Sequence, residues 1–377
     1  METEIKQVLL TCPATTITPI IKVVGENCNI KCDYCYYNEK NQHHSIKQIM
    51  THDILDLFIS EYLNLFGGEV DFIWHGGEPL LAGITFYRDI LEIQQLYSKE
   101  HKICNAIQTN GTLINEQWVE FFKTNNFQVS ISLDGIEKCH NRFRRDNAGN
   151  GTFAKVIDAV WLLRKSGIEP KILQTVTKSS IAYISENFKF FVEDLKLKNW
   201  GINIFMDVEM TNPLMKDQSL SNDDYFILYK TLFDLWLERN DPKLIIREID
   251  DFVFGVLGKK TTTCSTSGCC TSFMTVNWDG FIIPTCDNLV PKNLHIGENI
   301  KNTHLVDILN NQKRLDFAQK INTLPSDCKE CEWIPTCFNG YSYHRTKGDI
   351  MKNSYCIGQK RIFSYISEQL HEMKAIA

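Results

Sequence analysis

Six short apolar runs, rich in β-branched residues, alternate with amphipathic segments through the first 206 residues of this chain. These runs are predicted as strands at residues 20–24, 70–74, 103–108, 128–132, 172–176 and 202–206. The segment from 153 to 163 is typical of the intervening regions, since its apolar residues recur at helical spacing and Gly167 marks its end. Alternation of this kind predicts parallel βα units. Six units favour an α/β fold with a partial (βα)6 barrel like an open TIM barrel, rather than a closed eightfold barrel.

The remainder of the chain has a different character. Ser221 followed by Asp224 forms a capping-box pattern, which predicts a helix from about Asp223 to Arg239. Beyond this helix, the chain becomes rich in cysteine. We therefore expect a barrel over residues 1–220, a helical bridge over 221–262 and a cysteine-rich domain over 263–377.

Composition narrows the function classes. The chain has 377 residues and a net charge of -6 without a basic stripe, so nucleic acid is not an expected partner. No apolar run reaches the ~18 residues of a membrane span, and the N-terminus lacks a signal-peptide pattern, so we expect a cytoplasmic protein with no membrane partner. In such a chain, 14 cysteines indicate metal ligation rather than a disulfide framework.

Cys28, Cys32 and Cys35 form a C-x3-C-x2-C group directly after the first predicted strand. In parallel βα folds, catalytic groups gather at the carboxyl ends of the strands, so this is a functional position. A four-iron cluster normally takes four thiolates, and a compact triplet predicts a cluster with one uncapped iron. A structural zinc site is the alternative, but it needs a fourth ligand, and no His or Cys lies close by in the sequence.

A second motif follows the second predicted strand and runs His75, Gly76, Gly77, Glu78, Pro79. Alone it predicts only a turn, in which the glycines permit close approach of the backbone. Together with the cysteine triplet, it resembles the radical S-adenosylmethionine (SAM) superfamily. The resemblance implies that the triplet holds a [4Fe-4S] cluster whose fourth iron chelates SAM. The reduced cluster then cleaves SAM to a 5'-deoxyadenosyl radical.

The same resemblance assigns roles to several polar residues. Glu78 would accept a hydrogen bond from the SAM ammonium, and Tyr34 would lie near the adenine. Gln108, Ser132 and Arg144, each near the end of a predicted strand or soon after it, match positions lining the SAM pocket, with Arg144 as a carboxylate partner.

The C-terminal cysteines form a further pattern. Cys328-x2-Cys331-x5-Cys337, followed by Cys356, predicts a four-thiolate iron-sulfur cluster or a zinc site. With the upstream cysteines, this layout resembles the SPASM domain, which carries auxiliary [4Fe-4S] clusters. The resemblance implies that these four cysteines hold one auxiliary cluster, and that a second one is held by Cys264, Cys270 and Cys286.

One position departs from the SPASM pattern. The family pattern would place a fourth ligand of the cluster at Cys264, Cys270 and Cys286 at position 341, where this chain has Tyr341. The sequence is compatible with four alternatives. Cys269 could replace the missing ligand, the Tyr341 oxygen could bind, one iron could stay open to substrate or solvent, or the cluster could be absent.

Two kinds of enzyme resemble the chain. Maturases of ribosomally synthesised peptides, which form C–C or C–S crosslinks, are favoured by Tyr341. Anaerobic sulfatase-maturating enzymes, which oxidise Cys or Ser to formylglycine, share the stretches around Gly77 and Asn110, and in them Asp287 would match a proton-accepting carboxylate. We expect a peptide or protein substrate, with crosslinking preferred, and an external one-electron donor such as flavodoxin or ferredoxin. A non-catalytic iron-sulfur or zinc scaffold is the remaining alternative.

Overall fold

The computed structural model describes residues 16–37, 49–207, 212–267, 271–286, 296–345 and 352–376. The strands are β1 (Thr18–Lys22), β2 (Ile30–Cys32), β3 (Gly68–His75), β4 (His101–Thr109), β5 (Gln128–Ser132), β6 (Arg144–Asp146), β7 (Lys171–Val176), β8 (Asn199–Ile204), β9 (Ile245–Ile246), β10 (Phe273–Asn277), β11 (Phe281–Ile283) and β12 (Glu298–Asn299). Of these, β1, β3, β4, β5, β7 and β8 are the six predicted strands.

The helices within the barrel region are α1 (His52–Leu65), α2 (Ile84–Gln95), α3 (Glu116–Thr124), α4 (Glu137–Phe143), α5 (Phe153–Lys165) and α6 (Ile184–Lys189). Those that follow are α7 (Asn222–Arg239), α8 (Arg247–Val256), α9 (Cys264–Ser267), α10 (Leu305–Leu309), α11 (Gln312–Asn322), α12 (Ser326–Lys329), α13 (Ile334–Cys337) and α14 (Cys356–Ile376). None of the helices described is long and apolar enough to cross a membrane.

The six predicted strands are neighbours in one parallel sheet, in the order β1-β3-β4-β5-β7-β8. This confirms the α/β partial barrel. The first strand begins and ends two residues earlier than predicted, because Val23 and Val24 are buried in a turn after β1, where Gly25 N donates to Lys22 O. Their burial, and not strand pairing, explains their apolar character.

The C-terminal part adds strands to the same sheet. Strand β10 pairs in parallel with β1, so that Thr18 lies opposite Phe273. Strand β11 pairs antiparallel with β10, and β12 pairs antiparallel with β11. The turn between β10 and β11 contains Asp279 followed by Gly280 at φ +86°, a pair that is typical of a hairpin turn. The cysteine-rich region is thereby attached along the first strand of the barrel.

Helix α7 begins as the capping-box pattern predicts. Ser221 Oγ accepts a hydrogen bond from the amide of Asp224, and the Asp224 carboxylate accepts one from the amide of Ser221. The buried face of α7 packs against α14 and α8, where Tyr225 stacks on Tyr355 and Tyr229 lies edge-on to Phe252. This helix therefore connects the barrel to the last helix of the chain.

Candidate active site

A cavity of about 1030 Å3 opens at the carboxyl ends of the parallel strands. Most of the residues predicted for the N-terminal site line it, together with two C-terminal cysteines and one C-terminal tyrosine. They are Cys28, Cys32, Tyr34, Cys35, Gly76, Gly77, Gln108, Ser132, Arg144, Cys264, Cys286 and Tyr341.

The three N-terminal thiols lie together on the loop after β1. Cys32 ends the short strand β2, where it pairs with Arg144 of β6, and Cys35 N donates to Cys32 O at 3.1 Å. Burial raises the pKa of Cys28 and Cys32 to about 12 and that of Cys35 to about 11. Bare thiolates are therefore disfavoured here, and a metal that displaces the protons would relieve that cost, so the group fits an iron-sulfur cluster.

The two glycines after β3 pack against the cysteine loop through their backbone. Gly77 N donates to Gly25 O at 2.9 Å, and Glu78 N donates to Asn27 O at 2.8 Å. A Cβ on Gly77 would lie 2.0 Å from Asn27 O, and Gly76 has φ +119°. Only glycine fits this contact, which explains the motif sterically.

Glu78 itself lies behind the cavity wall and is fully buried. Its carboxylate accepts hydrogen bonds from Leu80 N at 3.0 Å, Thr109 Oγ1 at 2.7 Å and Asn110 N at 2.7 Å. Burial raises its pKa to about 7 against the opposing effect of these donors. The side chain ties the glycine loop to the end of β4, and its contact with the SAM ammonium stays a prediction.

Asn110 was not among the predicted site residues, although it lies only two residues after Gln108, which was. Its Nδ2 donates to Asn29 Oδ1 at 2.9 Å and lies 3.6 Å from Cys28 Sγ. A nearby pair of predicted residues is also hydrogen-bonded, since Gln108 Nε2 donates to Ser132 Oγ at 3.1 Å. These contacts arise from strands that are neighbours in the sheet.

Asp134 was likewise missed, and it joins two predicted residues. Its Oδ2 accepts hydrogen bonds from Arg144 Nε at 2.9 Å and from the Tyr34 hydroxyl at 2.5 Å. Arg144 Nη1 lies 3.7 Å from Cys32 Sγ. Tyr34 therefore has its hydroxyl occupied while its ring contacts Phe143 edge-on.

Across the cavity, Cys264 begins α9 and Cys286 follows β11, and both are half-buried. The loop that carries Cys264 is held by Asp251 of α8, whose carboxylate accepts hydrogen bonds from Thr263 N at 2.6 Å and Thr262 N at 3.1 Å. Asp251 had no signal in the sequence. The predicted residues Cys269, Cys270 and Asp287 lie outside the described residues.

The other four C-terminal thiols line a separate small cavity. Cys328, Cys331, Cys337 and Cys356 all face it, and burial raises the pKa of Cys337 to about 12. The described residues contain no group of three or more His, Cys, Asp or Glu side chains placed to share one metal ion. A cubane, which distributes its thiolates over separate irons, does not need such a group, so four converging thiols fit one.

Comparison with known families agrees with this geometry. The model of the radical SAM superfamily matches residues 23–197, and that of an iron-sulfur cluster-binding domain, SPASM, matches residues 268–332. The cysteine-type anaerobic sulfatase-maturating enzyme of Clostridium perfringens (strain 13 / Type A) is 32% identical over 93% of this chain and 96% of its own. The serine-type enzyme of Bacteroides thetaiotaomicron is 30% identical over 96% of this chain and 94% of its own.

Solved structures agree as well. The native anSMEcpe with bound AdoMet and Kp18Cys peptide has a TM-score of 0.84 at 31% identity, covering 96% of this chain and 99% of that one. Streptococcus suis SuiB bound to its precursor peptide SuiA has a TM-score of 0.64 at 15% identity, over 93% of this chain and 78% of that one, and this likeness concerns the fold alone.

The open barrel, the thiol triplet at its strand ends and the cysteine-rich C-terminal region thus define a radical SAM enzyme with an iron-sulfur cluster-binding domain. Within that superfamily, the chain belongs to the family of the anaerobic sulfatase-maturating enzymes. The predicted cofactors, SAM and iron-sulfur clusters, are those of the superfamily and of the domain. A non-catalytic scaffold is thereby set aside.

Proposed function

We propose that this enzyme oxidises a Cys or Ser side chain of a peptide or protein to formylglycine. The observation that carries the proposal is similarity along nearly the whole of both chains to sulfatase-maturating enzymes of the cysteine and serine types. The sequence alone favoured peptide crosslinking. We rank crosslinking second, because SuiB shares only 15% sequence identity with this chain and the similarity concerns the fold alone.

The extent of the cavity supports a peptide substrate. The cavity of about 1030 Å3 reaches from the cysteine triplet to Cys264 and Cys286, so both groups of thiols border one continuous space. A peptide residue placed between the two groups of thiols would lie within the same enclosed space.

At the barrel end, we assign Cys28, Cys32 and Cys35 as ligands of the SAM-binding [4Fe-4S] cluster. Such a cluster, when reduced, would supply the one electron that cleaves SAM to methionine and the 5'-deoxyadenosyl radical, and this radical would remove a hydrogen atom from the substrate. Gly76 and Gly77 pack their backbone against the cysteine loop and so support the triplet, and Arg144 retains guanidinium N–H groups that could bind the SAM carboxylate.

At the other end, we assign Cys328, Cys331, Cys337 and Cys356 to an auxiliary [4Fe-4S] cluster, and Cys264, Cys270 and Cys286 to a second one. These clusters would accept the second electron that formylglycine formation releases, and a flavodoxin or ferredoxin would supply the electron that starts the reaction. We assign Asp287 as the proton acceptor, by match to the family and not by geometry.

The test uses the reconstituted, reduced enzyme with SAM and a peptide containing a C-x-P-x-R or S-x-P-x-R stretch. We expect 5'-deoxyadenosine together with a peptide carbonyl that hydrazide reagents trap. Conversion of Ser loses two hydrogens, as a crosslink does, so trapping the carbonyl is the decisive step. A peptide with Ala at the target position is the control, and SAM cleavage with both peptides but no carbonyl contradicts the proposal.

Tyr341 keeps peptide crosslinking as the second candidate. It lines the cavity with Cys264 and Cys286, at the position where the family pattern has a cysteine. A short precursor peptide encoded beside this gene would be its substrate. Loss of two hydrogens without a trappable carbonyl, and fragment ions that remain joined across the modified residues, would establish that reaction instead.

A further inference from the structure

Asp134 lies at the centre of a buried polar group at the end of β5. Only 3% of its surface is exposed. One carboxylate oxygen accepts from Arg144 Nε at 2.9 Å and from the Tyr34 hydroxyl at 2.5 Å, and the other accepts from Thr175 N at 3.0 Å. The carboxylate is therefore fixed from three directions, by β6, the cysteine loop and β7.

Arg144 extends from this carboxylate to the cysteine triplet. It is 8% exposed, its Nη1 lies 3.7 Å from Cys32 Sγ, and its guanidinium carbon lies 5.3 Å from the centre of the Tyr34 ring. The register of the β2–β6 pair places the backbones of Cys32 and Arg144 directly opposite each other. A single buried cation thus lies between a carboxylate and a thiol of the triplet.

A cation in this position changes the energetics of any cluster bound to Cys32. Reduction adds a negative charge to the cluster, and an unbalanced cation nearby stabilises that charge and raises the reduction potential. SAM cleavage requires a strongly reducing cluster. The Asp134 carboxylate cancels much of the field of Arg144 at the cluster, while its hydrogen bond fixes the guanidinium in place.

We propose that Asp134 is a positioning residue that holds Arg144 beside Cys32 and offsets its charge, and so keeps the reduction potential of the cluster on Cys28, Cys32 and Cys35 low. This inference rests on the assignment of the cluster to the triplet. It is independent of whether the product is formylglycine or a crosslink.

The test is a redox titration of the reconstituted holoenzyme, followed by electron paramagnetic resonance. A triple variant with Cys28→Ala, Cys32→Ala and Cys35→Ala lacks this cluster, so subtracting its spectrum from that of each reduced sample identifies the signal without any need for SAM to bind. The variants are Asp134→Asn, Arg144→Gln and the double variant. Glu137→Gln is the control, since Glu137 lies three residues further along, is exposed and bonds only to Asn141 among the side-chain contacts described for it.

We expect opposite shifts. Asp134→Asn leaves the cation unbalanced and moves the potential of this cluster in the positive direction, whereas Arg144→Gln moves it in the negative direction. The double variant returns toward the wild-type value, and Glu137→Gln leaves it unchanged. If Asp134→Asn alone does not assemble a cluster, the double variant decides, because its potential must lie above that of Arg144→Gln if the Asp134 charge acts on the cluster. Shifts of the same sign in both single variants, no shift in Asp134→Asn, or equal potentials in the double variant and Arg144→Gln overturn the proposal.

Discussion

The amide of Gly77 donates a hydrogen bond to the carbonyl of Gly25 at 2.9 Å, which joins the glycine loop after β3 to the turn that leads into the cysteine triplet. This backbone contact leaves no space for a side chain. The loop that carries the three thiols is therefore held in part by a glycine from another strand end.

Gly77→Ala should impair assembly of the SAM-binding cluster. Its Cβ would meet Asn27 O at 2.0 Å, so the loop carrying Cys28 must move. Iron and sulfide analysis after anaerobic reconstitution, with the SAM-sensitive resonance signal as readout, measures the loss. Gly67→Ala is the matched control, because nothing lies within 4 Å of a Cβ there. Equal cluster content in both variants would contradict the steric argument.

The parallel sheet and the thiol triplet could be predicted from the sequence, whereas one long-range strand pairing could not. Local periodicity specified all six parallel strands, and cysteine spacing specified the triplet that the structure brings together. The pairing of β10 with β1 was not predicted, since it joins residues about 255 positions apart and no local pattern encodes such a partner. It is this pairing that attaches the segment leading to Cys286 beside the barrel.

The buried polar partners were missed for a related reason. Asp134 and Asp251 are ordinary turn or helix residues in the sequence, and their roles appear only when donors from distant segments converge on them. The sequence also could not show that the Glu78 side chain points behind the cavity wall, because a motif does not specify on which side of a loop a carboxylate lies. Ligands have a spacing signature, whereas the residues that orient them do not.

Asp251→Asn should destabilise the loop that carries Cys264. An amide offers one oxygen and presents N–H groups to donors, so hydrogen bonds from Thr262, Thr263 and Thr266 cannot all be kept. We expect a loss of about 1–3 kcal/mol in the free energy of unfolding, measured by urea denaturation. We also expect less iron in the reconstituted enzyme.

Asp250→Asn is the control for this prediction. Asp250 is the neighbouring residue on the same helix, and burial together with nearby carboxylates raises its pKa to about 6. Because its charge is disfavoured in the folded state, its neutral variant should not lose stability at pH 8. A larger loss in Asp250→Asn than in Asp251→Asn would contradict the assigned role.

His140 should make stability depend on pH between about 4 and 6.5. It is fully buried, with Nδ1 accepting from Asp134 N at 3.4 Å and Nε2 3.0 Å from Thr152 Oγ1, and burial lowers its pKa from 6.5 to about 4. The unfolded chain thus binds a proton in this range that the folded chain does not. Stability is fully present above about pH 6.5 and falls as the pH falls toward 4, by about 3 kcal/mol in all.

Unfolding of wild type and His140→Gln at several pH values checks this. The variant has no proton to gain at this position, so its free energy of unfolding should decline less steeply between pH 6.5 and 4. Whatever constant loss the substitution causes does not affect the slope. Parallel curves for the two proteins would rule out His140 as the source.

Cys337→Ala should remove the C-terminal cluster and leave the radical-forming site intact. Four thiols line the small cavity between α12, α13 and α14, and the loss of one leaves three to bind a cubane. We expect iron to fall by up to about four atoms per chain with zinc absent, since the thiols are assigned to a [4Fe-4S] cluster. SAM cleavage to 5'-deoxyadenosine should continue while the modified peptide is lost, because a cluster assigned to accept the second electron is missing.

Cys104→Ala is the matched control for this prediction. This half-buried thiol lies on β4, 3.9 Å from Glu69 Oε1, and does not line either of the cavities that contain the grouped thiols. Equal iron loss in both variants, or bound zinc that only Cys337→Ala releases, would show that these four cysteines do not hold an iron-sulfur cluster.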